Sequence, residues 1–467
     1  MAEIKFGTNG WQAKMGKELT FHKVRLATQA FANCLKKAPG GKEISVMINY
    51  DTRYLSETFA QKAAQILSLN RIHAFLPFRD APLPAMALAI TQKQMRGGLC
   101  FTASRNEPTF NGIKILNANG APALPSKTIL LENEIRKIGP GFHFKHQYPD
   151  PGMIHAVDIR TPYLDYIAAT VQLDIIKHAH LKIIVDNLYG TSRDYLDRLL
   201  SDSGIEVMAI HNYADSYFGE VIPSCNKNHL RELARLVVSK KANIGLAADP
   251  TSVRFGIIDC RGRFIEPNLI MPPLIEYLVT VRKMSGNIVK SIASTEQITR
   301  VADFYQRKVY ETPVGFKFLA DMLLARGAFL GVESSHGAAL NRAIPCKDGI
   351  LFNLLITEMM AYYRQSLPQL LSNFSKRFPP LLLREIQVVK TPCRQEKFQA
   401  VLQKKNFVFP GLDLLKVKYI DGIKFVFRDS WLLIRESGTV NAIRISAESP
   451  TPRQTQQLLR TGMNFIE

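Results

Sequence analysis

One serine stands between the end of a predicted strand and two cationic residues. The stretch GLCFTASRNEPTFNGIKIL, residues 98–116, begins as an apolar strand, passes through a small polar turn and ends in a second strand. Ser104 lies where the first strand ends, Arg105 follows it directly, and Lys114 stands in the second strand. A serine hydroxyl is a weak nucleophile unless neighbouring groups activate it. The pattern therefore allows a serine that does chemistry, binds an anion or only caps a turn.

Composition indicates a folded globular protein of several domains. Of the 467 residues, 46% are hydrophobic and 21% are charged, which is typical of globular proteins, and the length exceeds that of a single core. No run of about 18 apolar residues occurs, so we expect no membrane span, and the early charges argue against a secretory signal. The six cysteines include no CxxC pair. This spacing disfavours a disulfide framework or a zinc site and favours a cytoplasmic location.

The net charge of +20 is the unusual feature of the composition. A basic surface attracts phosphate groups of any kind, nucleic acid included. The sequence has no dense Lys/Arg block, no basic arm and no aromatic residues interleaved with cations, which single-strand binding would favour. We therefore expect no nucleic-acid partner, and basic residues spread over solvated faces are the simpler interpretation.

Strands and helices alternate along the first third of the chain. Apolar residues recur at helical spacing in some segments and form short buried runs in others, which is typical of a layered α/β domain. A Pro/Gly-rich stretch at 139–152 then predicts a linker. The predicted elements are strands at 44–50, 72–78 and 97–104 and helices at 54–67, 83–94 and 127–138.

The same rhythm returns twice before a different last segment. The second round includes a strand at 181–187 and a helix at 191–204 that Gly204 can end, the third ends in a helix at 349–365, and the last segment is rich in strands. We expect an α/β fold with three similar α/β/α layered domains and a smaller C-terminal α+β domain around a central cleft. The predicted domains are 1–150, 151–258, 259–372 and 373–467. Each carries a polar, glycine-containing loop, and four such loops could surround a small ligand.

Six short motifs, taken together, carry a family resemblance. Their order along the chain is IKFGTNGW, TASRNEPTFNGIK, LAADPTSVRFGIID, TPVGFK, GVESSHG and RESGT. This series resembles the α-D-phosphohexomutases, the phosphoglucomutase/phosphomannomutase family, over essentially the whole chain. Each motif is short, and the specificity lies in their joint order. The resemblance implies a protein that binds a phosphosugar.

The resemblance implies a phosphoryl carrier at Ser104. Family members hold a phosphoserine in a TASHNP-like loop, give its phosphate to a phosphosugar, and take back the other phosphate from the resulting bisphosphate. Such transfer needs positioning and neutralisation of the phosphoryl oxygens. Lys114 matches the lysine of the NGxK motif, and the resemblance implies that it transfers a proton or neutralises phosphate charge. Arg105 replaces the family's histidine and joins Ser104 and Lys114 as a candidate catalytic residue.

Loops of the third and fourth domains match positions that contact the phosphosugar. Lys317 of TPVGFK is an implied ligand contact, with a solvated lysine at a helix start as the open alternative. GVESSHG is similar to the sugar-reading GEESGH loop, in which Glu333 and Ser335 match, but the His336–Gly337 order is reversed and puts any role of His336 in doubt. The last loop is similar to RPSGTEPKIR, whose small residues expose N–H groups and whose arginines can grip phosphate. The residues carried over there are Arg435, Ser437, Gly438, Thr439 and Arg444, with Val440 and Asn441 in place of Glu-Pro.

The metal-binding loop departs from the family pattern. In the family, three carboxylates of DGDADR and the phosphoserine hold one Mg²⁺. Asp249 and Arg254 match that pattern, but Thr251 and Val253 replace two aspartates. Mg²⁺ prefers charged oxygen ligands in octahedral array, and loss of its charge costs several kcal/mol of transition-state stabilisation. We therefore predict a degenerate loop in which Asp249 is a weak metal-binding remnant.

Departures on the other loops extend this pattern. Gln12 and Ala13 replace an Arg-Gly pair of the N-terminal loop, and Arg105 and Glu107 replace the histidine and proline of TASHNP. A preserved scaffold with altered charges is typical of a retired or repurposed enzyme. Two roles for Arg105 stay open. It can supply positive charge to a phosphoryl group in place of the metal, or form a salt bridge with Glu107.

Three functional hypotheses follow. The first is a protein that binds hexose phosphates with weak or lost Mg²⁺-dependent mutase activity, a pseudoenzyme with a regulatory or assembly role. The second is an active phosphohexomutase that interconverts hexose 1-phosphate and 6-phosphate through Ser104, with a glucose 1,6-bisphosphate-type activator. The third is a binding protein for another polyanion. The sequence names neither the sugar nor the oligomeric state.

Overall fold

The computed structural model describes residues 4–38, 43–139, 141–142, 148–335, 337–340, 344–438 and 440–467. Within these ranges the chain forms four β-sheets of six, five, four and five strands, flanked by helices. The expected fold class, three layered α/β/α domains and a smaller C-terminal α+β domain, is confirmed. No helix within these ranges combines the length and apolar character that crossing a bilayer requires.

The first sheet places the serine loop at the end of a hairpin. Its strand order is β1-β5-β4-β2-β3-β6, and the antiparallel pair β4 and β5 aligns Cys100 with Lys114. The loop between these strands carries Ser104. The elements are β1 (Trp11–Lys14), α1 (Phe21–Lys37), β2 (Ile44–Tyr50), α2 (Ser56–Leu69), β3 (Ile72–Pro77), α3 (Leu83–Gln92), β4 (Gly97–Phe101), β5 (Phe110–Asn117), α4 (Pro125–Ile138) and β6 (Ile154–Val157).

The second sheet presents the loop predicted to be the metal-binding remnant. The strand order is β11-β10-β9-β7-β8, and the antiparallel turn from β9 into β10 spans the residues from Asp249 to Arg254. The elements are α5 (Arg160–Thr170), α6 (Leu173–His178), β7 (Lys182–Asp186), α7 (Leu196–Asp202), β8 (Glu206–Ile210), α8 (Arg231–Ser239), β9 (Ile244–Ala248), β10 (Phe255–Asp259) and β11 (Phe264–Ile265).

The third sheet has the order β13-β12-β14-β15. Helix α12 of this domain is apolar on all sides and buried along nearly its whole length, as expected of a helix surrounded by other elements. It packs against α6, α9, β9 and β10 and so joins the second and third domains in one core. The elements are α9 (Pro267–Thr280), β12 (Asn287–Ser291), α10 (Gln297–Phe304), β13 (Val309–Thr312), α11 (Phe316–Ala325), β14 (Ala328–Glu333), β15 (Gly337–Leu340), α12 (Gly349–Tyr363) and α13 (Leu367–Arg377).

The C-terminal sheet is antiparallel, with the order β16-β20-β19-β18-β17. It docks on the third domain through buried Ile292 and Trp431, and Lys424 lies over the Trp431 ring with its Nζ 4.2 Å from the centroid. The Lys424 ammonium also donates to the Ile292 carbonyl at 2.9 Å. The elements are β16 (Leu382–Val389), α14 (Pro392–Gln403), β17 (Lys416–Lys418), β18 (Ile423–Val426), β19 (Trp431–Glu436), β20 (Ala442–Ser449) and α15 (Pro452–Asn464).

Two predicted helices begin later than the sequence pattern indicated. Helix α2 begins at Ser56 rather than at residue 54, because Leu55 adopts a left-handed conformation with φ 60°. Helix α7 begins at Leu196 rather than at residue 191, because the preceding residues form turns that include a left-handed Asp194. Strand β6 extends the first sheet past residue 150, and β10 and β11 extend the second past residue 258, so the four domain limits stay predictions.

Candidate active site

The Ser104 loop is held in a strained, buried conformation. Ser104 has φ 54° and is only 3% exposed. Its backbone N–H donates to the Thr102 Oγ1 at 2.8 Å, and the Thr102 hydroxyl donates in turn to the Asp51 carboxylate. A left-handed serine is uncommon and persists where its surroundings enforce it. Asp51, which directly follows β2, thus holds the loop in place through the Thr102 hydroxyl.

Arg53 fixes the same loop from the side, and sequence reasoning missed it. Its guanidinium donates to four backbone carbonyls of the loop at 2.7 to 3.0 Å, and its Nε lies 3.4 Å from Asp51. The side chain is fully buried. The available signal was the Asp-Thr-Arg sequence directly after a buried strand, where polar residues of an α/β sheet gather. The four carbonyls belong to Ser104, Asn106, Glu107 and Phe110.

The Asp249–Arg254 loop is held by backbone hydrogen bonds from three domains. It closes on itself through the Asp249 N–H, which donates to the Arg254 carbonyl at 3.2 Å. A Cβ at Gly349 would lie 2.4 Å from that same Arg254 oxygen, so the close approach of α12 requires glycine. The carbonyls of residues 250, 251 and 252 accept N–H groups from Thr191, Leu83 and Gly349, respectively.

Arg254 bridges the two loops. One guanidinium nitrogen, Nη1, donates to the Ser104 Oγ and to the Asp249 Oδ2, each at 3.0 Å. Its Nε donates to the Ser335 carbonyl at 3.1 Å, which extends the bridge to the third domain. Arg254 is 4% exposed and Asp249 is fully buried. A cation therefore sits between the serine and the retained aspartate.

Lys114 and Arg105 add positive charge around Ser104. Burial lowers the pKa of Lys114, and Lys114 interacts electrostatically with both Asp249 and Arg254. The charge of Arg254 lowers the pKa of Arg105 to about 10, so Arg105 stays protonated at neutral pH. The salt bridge considered between Arg105 and Glu107 does not form, and within the described part of the chain Arg105 has no ion-pair partner.

The third-domain residues form a compact ionic group. The Glu333 carboxylate accepts from the Ser335 hydroxyl at 2.9 Å and from the Lys347 ammonium at 2.8 Å. Burial opposes ionisation of Glu333, but the charges of Lys347 and Arg254 outweigh it and lower its pKa to about 2. Burial lowers the pKa of Lys347 to about 8. Lys347, in the sequence PCKDG, was missed because no motif marks it.

Lys317 lies inside the protein rather than on a solvated surface. It is the second residue of α11 and only 8% exposed, and burial lowers its pKa. Its Nζ lies 5.5 Å from the centroid of the Phe318 ring. No described residue forms an ion pair or a hydrogen bond with this ammonium group. Lys317 does stand at a helix start, but its side chain is buried, so the alternative of a solvated lysine at this position is wrong.

The fourth-domain loop brings two arginines to the opposite side. Arg435 is 6% exposed, and its Nη1 donates to the Glu436 carbonyl at 3.2 Å and lies 4.0 Å from the Asp421 carboxylate. Arg444 pairs with Glu385. The Nε atoms of both arginines are buried without a hydrogen-bond partner in the described ranges. Of the other residues predicted there, Ser437 and Gly438 are described, whereas Thr439 lies outside the described residues, as does His336.

Most of these groups meet at one cleft with a volume of about 1780 Å³, its opening to solvent included, whereas Ser104 lies buried behind the lining residue Arg254. All four domains line it, and Arg105, Arg254, Lys317, Glu333, Ser335, Arg435, Ser437, Gly438 and Arg444 are among the lining residues. The N-terminal loop closes one end, where Thr8 Oγ1 donates to the Gly438 carbonyl at 3.4 Å. Asn106 Nδ2 donates to the Gln12 Oε1 at 2.9 Å, so Gln12 supports the Ser104 loop.

A smaller cavity of about 650 Å³, its opening to solvent included, adjoins the cleft. Four cationic side chains line it, namely Lys114, Arg254, Lys317 and Lys347, and none of the described residues that line it is acidic. Arg254 and Lys347 have acidic partners, whereas Lys114 and Lys317 have none among the described residues. Two uncompensated ammonium groups in a partly dry site favour an anionic ligand.

Four family models match the chain in the order of its sheets. They describe phosphoglucomutase/phosphomannomutase α/β/α domains I, II and III and the C-terminal domain, and they match residues 3–141, 161–262, 266–378 and 389–461. This chain belongs to the phosphoglucomutase/phosphomannomutase family. The resemblance predicted from the six motifs is confirmed, as is their assignment to the α-D-phosphohexomutases.

Individual family members span the whole chain. A phosphoglucomutase/phosphomannomutase of Thermococcus kodakarensis is 27% identical over 99% of this chain and 98% of its own. A crystal structure from Thermus thermophilus, described as a candidate phosphomannomutase, has a TM-score of 0.85 and 24% identity and covers 100% and 99% of the two chains. An N-acetylphosphoglucosamine mutase of Aspergillus fumigatus in complex with GlcNAc-6P and magnesium has a TM-score of 0.55, 13% identity and coverage of 100% and 96%. The two structures show the shared fold.

The residues of the loop predicted to be a metal-binding remnant do not fit a magnesium ion. Asp249 Oδ1 accepts the N–H groups of Val253 and Arg254, and Oδ2 accepts from the Arg254 side chain. The Thr251 hydroxyl is buried without a partner in the described ranges, and Val253 offers no ligand atom. A single saturated carboxylate beside a guanidinium is a poor match for the several hard oxygen ligands that Mg²⁺ requires.

Proposed function

We propose that the central cleft binds hexose phosphates and that Mg²⁺-dependent mutase activity is weak or lost. The observation that carries this proposal is the distribution of charge around Ser104. Cations from all four domains line the cleft and its inner cavity. Five acidic residues also line the cleft, but none of the described residues that line the inner cavity is acidic, and the one aspartate retained at the predicted metal position is paired with Arg254. Phosphate is well matched to such a site because arginine binds it in a two-pronged manner.

The residues divide into three groups by role. Arg435 and Arg444, with the small residues of their loop, bind the phosphate of the sugar, since both side chains line the cleft and a guanidinium group can donate two hydrogen bonds to one phosphate. Lys317 and the Glu333–Ser335 pair contact the sugar and its phosphate. Ser104 occupies the position of the phosphoryl carrier.

A second candidate is an active phosphohexomutase, and the Arg254–Ser104 contact favours it. In this reaction a hexose phosphate hydroxyl attacks phosphorylated Ser104, the Ser104 Oγ–phosphorus bond breaks, and Ser104 recovers the proton that the hydroxyl gives up. The hexose bisphosphate turns over, and its other phosphoryl group returns to Ser104 in the reverse sense. Lys114 and Arg254 would stabilise the transferring phosphoryl charge.

Turnover and binding assays on the same preparation distinguish the two candidates. Glucose 1-phosphate is supplied with catalytic glucose 1,6-bisphosphate in Mg²⁺ or in EDTA, and mannose 1-phosphate and glucosamine 1-phosphate are run alongside. Binding of each phosphosugar is measured by calorimetry, with Ser104→Ala as the matched variant. We expect binding in both buffers and turnover that is weak or absent.

Robust turnover that EDTA abolishes would contradict the proposal, because it would require a working metal site. Robust turnover in EDTA that is lost in Ser104→Ala would favour the active mutase instead. Turnover that persists in Ser104→Ala would remove Ser104 from either mechanism. Absence of phosphosugar binding would refute both candidates.

A further inference from the structure

The space between Ser104 and Asp249 is filled by a guanidinium group. Arg254 Nη1 is 3.0 Å from the serine Oγ and 3.0 Å from the aspartate Oδ2. A divalent cation that joined a phosphoryl group on Ser104 to Asp249 would have to occupy this region. The protein already supplies a positive charge there as part of its own chain.

The surrounding loop makes the guanidinium a fixed feature. Arg254 is anchored at its other end by the Ser335 carbonyl, and its own carbonyl and N–H are both hydrogen-bonded within the loop. The described residues contain no group of three or more His, Cys, Asp or Glu side chains that could hold a metal ion. A metal would therefore have to displace Arg254 and would find Asp249 as the only carboxylate of the loop.

The charges also balance for a phosphoryl group. A phosphoserine carries about −1.5 to −2 charges at pH 7. Arg254 is neutralised by Asp249, but Arg105 and Lys114 have no acidic partner among the described residues. These two uncompensated cations match the charge of one phosphoryl dianion without any further ion.

We infer that the Asp249–Arg254 loop holds no divalent cation, and that a phosphoryl group on Ser104 is held by Arg254 and Arg105 without a metal ion. The second half of this inference rests on the proposed role of Ser104 as phosphoryl carrier. The first half concerns only the metal and stands apart from that role.

Manganese binding tests the first half without any need for activity. Mn²⁺ is titrated into the full-length protein, and the free ion is followed by its paramagnetic resonance signal. The paired variant is Thr251→Asp with Val253→Asp, which restores two carboxylates to the loop. We expect no depletion of free Mn²⁺ by the wild-type loop and a gain in affinity of about a hundredfold or more in the double variant, because ligand charge sets the affinity for hard cations.

Three results of this titration would overturn the first half. One is stoichiometric Mn²⁺ binding to the wild type that Asp249→Asn abolishes, which would place a metal beside Arg254. Another is that the double variant remains folded by circular dichroism but does not bind Mn²⁺. This result would show that the missing carboxylates are not the reason why the wild-type loop binds no metal. If the double variant fails to fold, Val253→Asp alone is used, and failure of this folded variant to bind more Mn²⁺ than the wild type counts against the inference.

Phosphorylation of Ser104 tests the second half. The protein is incubated with glucose 1,6-bisphosphate in EDTA or in Mg²⁺ and its intact mass is measured. In this step a phosphoryl group passes to the Ser104 Oγ, and the sugar oxygen that loses it receives the serine proton. We expect the same phosphorylated fraction in both buffers, a several-fold lower fraction in Arg254→Gln, and partial recovery in Arg254→Lys, which keeps the charge but not the planar fork.

A requirement for Mg²⁺ in this reaction would overturn the inference. Equal phosphorylation of Arg254→Gln and the wild type would show that Arg254 does not hold the group. Absence of phosphorylation in both buffers would refute the carrier role and with it the second half, while the manganese titration would still decide the first half.

Discussion

The two sides of the cleft use arginine in opposite ways. On the Ser104 side, Arg53 and Arg254 are engaged by acceptors of the protein itself, with four carbonyls on Arg53 and Asp249, Ser104 and Ser335 on Arg254. On the fourth-domain side, Arg435 and Arg444 line the open cleft and have fewer protein acceptors, namely the Glu436 carbonyl for Arg435, with Asp421 4.0 Å away, and Glu385 for Arg444. The first pair builds a loop, and the second pair is arranged to receive an anion.

This difference separates stability from binding. A guanidinium that several protein acceptors share contributes to the folded state, and its removal leaves buried carbonyls or carboxylates unpaired. A guanidinium with free donors contributes little to folding and gains its partners when a ligand arrives. The predictions below test this separation, from the largest expected effect to the smallest.

Arg53→Gln should lower the free energy of unfolding by about 3 to 5 kcal/mol, the range for a broken buried ion pair. The reason is that it strips the Ser104 loop of its hydrogen-bond donor and leaves Asp51 buried. Urea unfolding measures the change. The matched control is Arg71→Gln, in an exposed pair with Asp150, which should cost less than about 1 kcal/mol. Similar losses in the two variants would contradict the structural role of Arg53.

Arg435→Gln should weaken glucose 6-phosphate binding by about 10- to 100-fold, since a hydrogen bond to a charged group contributes about 1.5 to 3 kcal/mol. The free energy of unfolding should change little. Calorimetric titration measures the affinity, and the exposed Arg384 of the same sheet provides the control variant Arg384→Gln. Equal affinities of Arg435→Gln and the wild type would place the sugar phosphate elsewhere.

The affinity for hexose phosphate should fall several-fold as the pH rises through about 8. Burial lowers the pKa of Lys347 to about 8, so its ammonium charge is lost there and the attraction for the phosphate weakens. Calorimetry from pH 6.5 to 9.5 would show the transition, and Lys347→Gln should lack it. A transition that persists unchanged in this variant would assign it to another group.

Lys347 should also make the free energy of unfolding depend on pH, and this free energy should rise over the pH range in which the affinity for hexose phosphate falls. The unfolded chain keeps the lysine proton up to about pH 10.5, the ordinary value for this residue, whereas the folded protein releases it near pH 8. Between these values the unfolded state binds more protons, so the contribution of Lys347 to the unfolding free energy rises with pH. Lys347→Gln should flatten this rise in urea unfolding, and an unaltered slope would contradict the assignment.

Arg105→His should have the smallest effect on folding, within about 0.5 kcal/mol, because Arg105 is exposed and unpaired among the described residues. The same variant should retain less phosphoryl group on Ser104. Intact-mass analysis and urea unfolding together measure the two effects. A large loss of stability would show that Arg105 serves the fold rather than a ligand.

The elements were largely predictable, and the contacts between loops were not. Hydrophobic periodicity found β2 to the residue and α12 to within two, since both are long or strongly patterned and buried. Motif resemblance pointed to Ser104, Lys114, Lys317 and Arg435, which the structure places in or beside the cleft and its inner cavity, while their roles stay predictions. The sequence did not predict Arg53 and Lys347 as part of the site, since their roles depend on partners from distant segments that local spacing does not reveal.

The loop departures illustrate the same limit. The sequence showed that Thr251 and Val253 cannot replace two aspartates, and it left open whether Arg105 compensates for the metal or forms a salt bridge with Glu107. In the structure Arg254 is the residue that contacts both Ser104 and Asp249, while Arg105 lines the cleft without an ion pair to any described residue. Only the folded geometry separates two arginines that are equally plausible in the sequence.

The central claim is that the cleft holds phosphate groups through its own cations and without a metal. It is tested most directly by calorimetric titration of glucose 1,6-bisphosphate into the metal-stripped protein in EDTA and again in Mg²⁺. Our account predicts binding with the same affinity in both buffers. Binding that appears only when Mg²⁺ is present would contradict it.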